Sequence, residues 1–177
     1  ANTMPAPYYR FDGSDDKITV GDAADLDWGS GDGTIEALVY FPVVDSGDVH
    51  ILSRYTDTNN RLLFYYDGPD IEFYFKSSST VMQHARVTFT ATAETWYHIV
   101  WTFENGASNQ VYINGVLQTL SADVTTGGAM NLAADMEFGK YSGTYSEVVL
   151  GKVKHWNVHL SATEVKELYS GASVPFK

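Results

Sequence analysis

Pairs of carboxylates are the first side chains in this sequence that could do chemistry. Cleaving a glycosidic bond takes two of them about 5 to 9.5 Å apart, one holding a proton for the leaving oxygen. Asp70-Ile-Glu72 puts two carboxyl groups on one strand face, though beside a turn, and Asp25-Leu-Asp27 falls in a loop. A chain with 22 acidic residues produces such spacings by accident, so a glycoside hydrolase is the third-ranked reading. No Ser, His and Asp order and no phosphate-binding glycine pattern offers other chemistry. Among His50, His84, His98, His155 and His159 none pairs with another on a helix, since His155 and His159 straddle a strand end, so zinc is not expected. Oxygen donors are denser. Asp12-Gly-Ser-Asp-Asp16 crowds three carboxylates into one turn and Asp45-Ser-Gly-Asp48 two, the hard donors a calcium ion (Ca2+) takes. Turns are built from the same residue types without any ion, and Asp12 and Asp15 are the metal ligands to test.

Recognition needs a different pattern, and one hairpin supplies it. If Gly68 and Pro69 form a two-residue loop in Asp67-Gly-Pro-Asp70, then Tyr66 faces Ile71, Tyr65 faces Glu72 and Leu63 faces Tyr74. Alternation then sends Leu62, Phe64, Tyr66, Ile71, Phe73 and Phe75 to one face, suited to a core. Arg61, Leu63, Tyr65, Glu72, Tyr74 and Lys76 share the other. On that face Tyr65 and Tyr74 could stack on sugar rings while Arg61, Glu72 and Lys76 hydrogen-bond hydroxyls. Arg54, Asp57 and Asn59 are expected in loops at its rim. The competing reading makes these tyrosines ordinary strand residues, packed under a loop or a second subunit.

The elements that must position these residues are strands. Short runs rich in β-branched and aromatic residues, separated by Gly, Asp and Asn, predict strands at 8–11, 18–20, 34–43, 49–55, 61–66, 71–76, 86–92, 96–104, 110–113, 137–139 and 148–157. Asn114-Gly115 supplies the two positive φ angles of a type I′ hairpin turn. Ser161-Ala-Thr-Glu164 has the capping-box form and starts one short helix, which Val165 and Leu168 pack down and which ends near Gly171, before Pro175. The stretches 77–80 and 125–128 are of loop length. Trp96, Trp101 and Trp156 fall in strands and are expected in the core, and Trp28 lies in a glycine-rich loop.

Composition narrows the partners. The 177 residues fit one domain, 1–177, and a fold of this size buries roughly 70% of the surface its unfolded chain exposes. There is no Cys, so packing and backbone hydrogen bonds hold the fold. Eleven basic residues against 22 acidic ones give a net charge of -11, which argues against nucleic acid and anionic lipid. No stretch reaches the roughly 20 apolar residues of a membrane helix, so no membrane insertion is expected. Aromatics form 14% of the chain, serving equally as sheet filler and as sugar-stacking surface.

Three separated segments, read in order, resemble the laminin-G-like members of the concanavalin A-like lectin and glucanase superfamily. The first is Tyr9-Arg-Phe-Asp-Gly-Ser-Asp-Asp16 with Thr34-Ile-Glu-Ala-Leu-Val-Tyr40, similar to that family's opening strand, turn and long strand. The second is Trp96-Tyr-His-Ile-Val-Trp-Thr-Phe103 with Val111-Tyr-Ile-Asn-Gly115, similar to its tryptophan-histidine strand and following hairpin. The third is Gly151-Lys-Val-Lys-His-Trp-Asn157 with Leu160-Ser-Ala-Thr-Glu164, similar to its closing strand and short helix. The resemblance implies an all-β fold, a two-sheet antiparallel jelly-roll sandwich with one short C-terminal helix, and a structural place for His98. Near Asp70 and Glu72 the third acidic residue of the family's glucanase strand is missing. Relatives bind glycans or proteins, some with calcium at sandwich edges, and an extracellular, cell-surface or virion-surface setting is their usual home. Function must still be argued from the site. The leading reading is a non-catalytic, lectin-like carbohydrate-binding module. The alternative is a structural or adhesion protein, such as a virion decoration or surface component, that meets a surface protein or builds an oligomer through the sandwich.

Overall fold

The structure is a computed structural model that describes residues 7–44 and 47–172. Asp45 of the second acidic turn and Pro175 beyond the helix lie outside the described residues. The first half of the chain forms β1 (Tyr9–Asp12), β2 (Ile18–Val20), β3 (Gly33–Phe41), β4 (Val49–Asp57), β5 (Asn60–Asp67), β6 (Asp70–Ser77) and β7 (Thr80–Thr88). The second half forms β8 (Thr95–Glu104), β9 (Ser108–Ile113), β10 (Val116–Leu117), β11 (Ala122–Thr125), β12 (Met136–Phe138), β13 (Lys140–Tyr141), β14 (Thr144–Tyr145), β15 (Glu147–Trp156) and the helix α1 (Ala162–Ala172). Two antiparallel sheets face one another. One has the order β1-β15-β3-β8-β9-β10 and the other β11-β7-β6-β5-β4-β12-β2, while β13 and β14 make a separate two-stranded ribbon.

Side-chain alternation explains why the sheets stack. From β5 and β6, Leu62, Phe64, Tyr66, Ile71, Phe73 and Phe75 all point inward with at most 1% exposure, meeting Ile35, Ala37, Val39, Ile99, Trp101 and Phe103 of the other sheet. Burying each of the larger of these contributes about 1.5–3 kcal/mol. Phe64 stacks on Phe73 at 4.2 Å and Phe73 on Trp101 at 5.3 Å. Trp28 joins this core from its loop, meeting Phe75, Trp101 and Phe103 edge-on and donating from Nε1 to the Trp156 carbonyl at 3.0 Å. Two of the expected core tryptophans sit elsewhere. Trp96 is buried against Leu38, Tyr40 and Val149 on the outside of the six-stranded sheet, and Trp156 is only half-buried.

Local signals appear where the chemistry requires them. Asn114 and Gly115 have φ of 51° and 74° between β9 and β10. The Ser161 amide donates to Glu164 Oε2 at 2.8 Å and the Glu164 amide to Ser161 Oγ at 3.4 Å, which is the capping box that opens α1. Val165 then buries against Val100 and Tyr112. The expected loop at 77–80 is instead a tight hairpin: Ser78 and Ser79 take positive φ, and β7 begins at Thr80, six residues before the predicted 86. The short strands β11, β13 and β14 were not expected; they are edge or ribbon pieces of two to four residues, too short to show a period.

Candidate functional site

The outer face of the seven-stranded sheet gathers most of the predicted binding residues. The Asp67–Asp70 turn sets the expected register, with Tyr65 opposite Glu72, Leu63 opposite Tyr74 and Arg61 opposite Lys76. Beside them β4 carries a bulge between His50 and Leu52. Ile51 and Leu52 both turn into the core, so His50, Ser53 and Tyr55 reach the outer face opposite Tyr65, Leu63 and Arg61. The β13–β14 ribbon lies across this edge, held where Ser53 Oγ donates to the Lys140 carbonyl at 2.7 Å. Its Tyr141 is thereby placed 4.8 Å from His50 and 5.1 Å from Tyr55, ring centre to ring centre.

A row of rings and charges results. Tyr65 stacks on His50 at 5.5 Å. Arg61 lies 5.1 Å over the Tyr74 ring and donates to the Tyr141 hydroxyl at 3.5 Å. Tyr74 meets His84 edge-on at 5.3 Å. Glu72 is 2% exposed and takes His84 Nε2 at 2.9 Å and Arg86 Nη2 at 2.6 Å. Burial alone would raise its pKa, but the bonds from His84 and Arg86 outweigh that and hold the carboxylate ionised. Tyr65 is the reverse case, its hydroxyl pushed up by burial and by the neighbouring Glu72. At the far end Lys76 Nζ donates to Asn59 Oδ1 at 3.3 Å, and the Asn59 amide donates to Asp57 Oδ1 at 2.7 Å. Asp57, the last residue of β4 rather than a loop residue, and Asn59 in the turn after it are both exposed.

Arg54 corrects the sequence reading. It lies in β4 rather than a rim loop, and the bulge turns it inward, where it is 1% exposed. Nε donates to the Ala134 carbonyl at 3.0 Å, Nη1 to the Leu26 carbonyl and Asp27 Oδ1 at 2.7 Å each, and Nη2 to Asp22 Oδ1 at 2.8 Å and to the Leu132 carbonyl. With its donors spent, Arg54 braces the segments around residues 22–27 and 132–134 and offers nothing to a ligand. Sequence reasoning missed His50, Tyr55, Tyr141, His84 and Arg86. The bulge and the long-range ribbon that assemble His50, Tyr55 and Tyr141 leave no local pattern, and His84 and Arg86 come from the register of β7 against β6.

A pocket of about 620 Å³ opens at the His50 end of the face, lined by Asp12, Asp48, His50, Tyr141, Tyr145 and Glu147 among others. Burial holds the His50 pKa down at about 4, so the ring is neutral at neutral pH. Asp48 is raised by burial and by the carboxylates of Asp67 and Glu72. Next to this pocket Asp12, Asp15 and Asp16 can bring one carboxylate oxygen each within 4.8 Å of the others. All three are exposed. Two also serve the turn itself: Asp12 Oδ1 accepts from the Ser14 amide at 2.8 Å and Asp16 Oδ2 from the Asp12 amide at 3.2 Å. The donor set suits a hard cation such as calcium.

A family model described as the concanavalin A-like lectin/glucanases superfamily matches residues 12–166. The chain belongs to this superfamily. Among solved structures it is similar to the botulinum neurotoxin serotype G binding domain, with TM-score 0.77 and 18% identity over 94% of this chain and 43% of that one. It is also similar to the receptor-binding domain of the botulinum neurotoxin C/D mosaic serotype, with TM-score 0.80 and 14% identity over 98% and 44%. The binding domain of Paraclostridial Mosquitocidal Protein 1 gives TM-score 0.73 and 14% identity over 97% and 47%. The chain thus spans under half the length of these structures, and the likeness is one of fold. No curated protein matches the sequence.

Within this superfamily scaffold the remaining sequence candidates find structural places. His98 is 1% exposed and pairs through Nε2 with the buried Glu36 at 2.9 Å, on the sheet face that α1 covers. Of the two carboxylate pairs, Glu72 is ionised and enclosed by His84 and Arg86, which leaves it without the proton a general acid donates. Asp25 is exposed in a short 3-10 turn, and Asp27 is bound to Arg54.

Proposed function

We propose that this chain is a non-catalytic recognition module that binds carbohydrate on the outer face of its seven-stranded sheet. One observation carries the reading: half-buried Tyr65, Tyr74, Tyr55 and Tyr141 run in a row with Arg61, Lys76 and Arg86, which the buried Glu72 fixes in place. Flat ring faces take the apolar side of a pyranose, and fixed charged groups beside them take its hydroxyls. The similar solved structures are binding or receptor-binding domains of botulinum neurotoxins and of Paraclostridial Mosquitocidal Protein 1, which supports binding over catalysis and an extracellular or surface setting. Because the chain spans less than half of each, the sugar specificity rests on the side chains here. No helix among the described residues is long and apolar enough to cross a membrane.

The test is thermal unfolding with and without calcium against a panel of oligosaccharides, because a ligand that binds the native state raises the midpoint. A rise with one sugar class, lost in Tyr65→Ala and Tyr74→Ala, is the expected result. No rise with any sugar, together with a symmetric oligomer burying Tyr65 and Tyr74, would replace this reading with a protein-contact role.

A further inference from the structure

Resting on the carbohydrate reading above, we infer that the pocket at the His50 end of the face receives the free ammonium group of an amino sugar. Three of its lining residues, Asp12, Asp48 and Glu147, are carboxylates, and none of its described lining residues is Lys or Arg. Glu147 has a partial partner in exposed Arg10 at 3.4 Å. Asp48 has the opposite surroundings. Burial raises its pKa, and Asp67, through its charge and a side-chain hydrogen bond, and then the charge of Glu72 raise it further, so negative charge presses on it from the face side. A neutral sugar could hydrogen-bond to these groups but would leave that repulsion in place. An ammonium group relieves it.

His50 is an independent sign of a ligand. It is 3% exposed, lines the pocket, and its Nδ1 has no hydrogen-bond partner among the described residues, an unmet polar atom that costs stability in a folded chain. Its neutrality means it does not repel a cation. Tyr141 and Tyr145 add ring faces, and Lys140 Nζ already rests 5.9 Å over Tyr145 while its charge is met by Glu137 at 3.1 Å. A bare metal ion fits less well. Among the described residues the only ion-sized group of carboxylates is the Asp12, Asp15 and Asp16 turn, which leaves out Asp48, Glu147 and His50. The pocket also continues into the sugar face, since His50 stacks on Tyr65 and Tyr141 contacts Arg61.

Isothermal titration with a glucosamine hexamer and an N-acetylglucosamine hexamer, in buffer at physiological ionic strength, isolates the amine, because the two differ only in whether it is acetylated. The glucosamine hexamer is expected to bind about tenfold tighter, the scale of one or two charge-assisted hydrogen bonds. Asp48→Asn and Glu147→Gln should each cut that preference several-fold. Asp25→Asn, an exposed carboxylate in the 3-10 turn, should leave it unchanged. Equal affinities overturn the inference while the carbohydrate reading stands. A preference that survives both pocket substitutions together also overturns it, since the net charge of -11 would then be its source. Failure of every oligosaccharide in the wider panel would instead remove the carbohydrate reading itself.

Discussion

Arg54 and Arg61 sit on adjacent strands, and the sheet sends them to opposite sides. Arg54 points inward, almost without exposure, and binds two carboxylates and three carbonyls from segments around residues 22–27 and 132–134. Arg61 points outward, rests on the Tyr74 ring and reaches one tyrosine hydroxyl at 3.5 Å. The first is saturated and the second is not. Residue type does not separate a brace from a binding group; the count of donors still free does.

The comparison breaks most sharply at Arg54. Arg54→Met should cost about 3–5 kcal/mol in denaturant unfolding, because it strands Asp22 and Asp27 beside unmet carbonyls, whereas Arg61→Met should stay within about 1 kcal/mol. Equal losses would erase the distinction. Next in size is the pH response of His50, whose pKa falls from 6.5 to about 4 on folding. The unfolded chain takes up this proton below pH 6.5 and the folded chain does not until about pH 4. Stability is therefore full above that window and falls through it, by about 2 kcal/mol at pH 5. His50→Phe keeps a ring between Tyr65 and Tyr141, and should flatten the curve between pH 6.5 and 5; an unchanged slope would mean another group carries it. On the open side, Tyr74→Ala should weaken sugar binding about tenfold yet cost only about 1 kcal/mol of stability. Smallest of all, Asp15→Asn should shift stability by no more than about 0.5 kcal/mol in calcium-free buffer, measured by the thermal midpoint. A larger shift only when calcium is added would assign the Asp12 turn an ion.

Much of this was legible in the residues. The Gly68-Pro69 loop gave the register of β5 against β6, and with it the facing of Tyr65, Tyr74, Arg61, Glu72 and Lys76. Asn114-Gly115 and the Ser161–Glu164 box located a turn and the helix start because both act within a few residues. Arg54 was misread for a physical reason. Expected in a rim loop, it lies in β4, where the bulge between His50 and Leu52 shifts the two-residue alternation and turns its side chain into the core. Tyr141 was out of reach for another reason. Its place depends on a two-residue strand whose anchor, Ser53, lies far away in the chain.

The central claim is that ligand binds the outer face of the seven-stranded sheet, and amide chemical-shift mapping during titration with the best oligosaccharide of the panel tests it directly. The account predicts shifts clustered at Arg61, Tyr65, Glu72, Tyr74 and Lys76 and at His50 and Tyr141, with β3, β8 and β15 silent. Shifts confined to the six-stranded sheet or to the Arg54 end of the sandwich would contradict it.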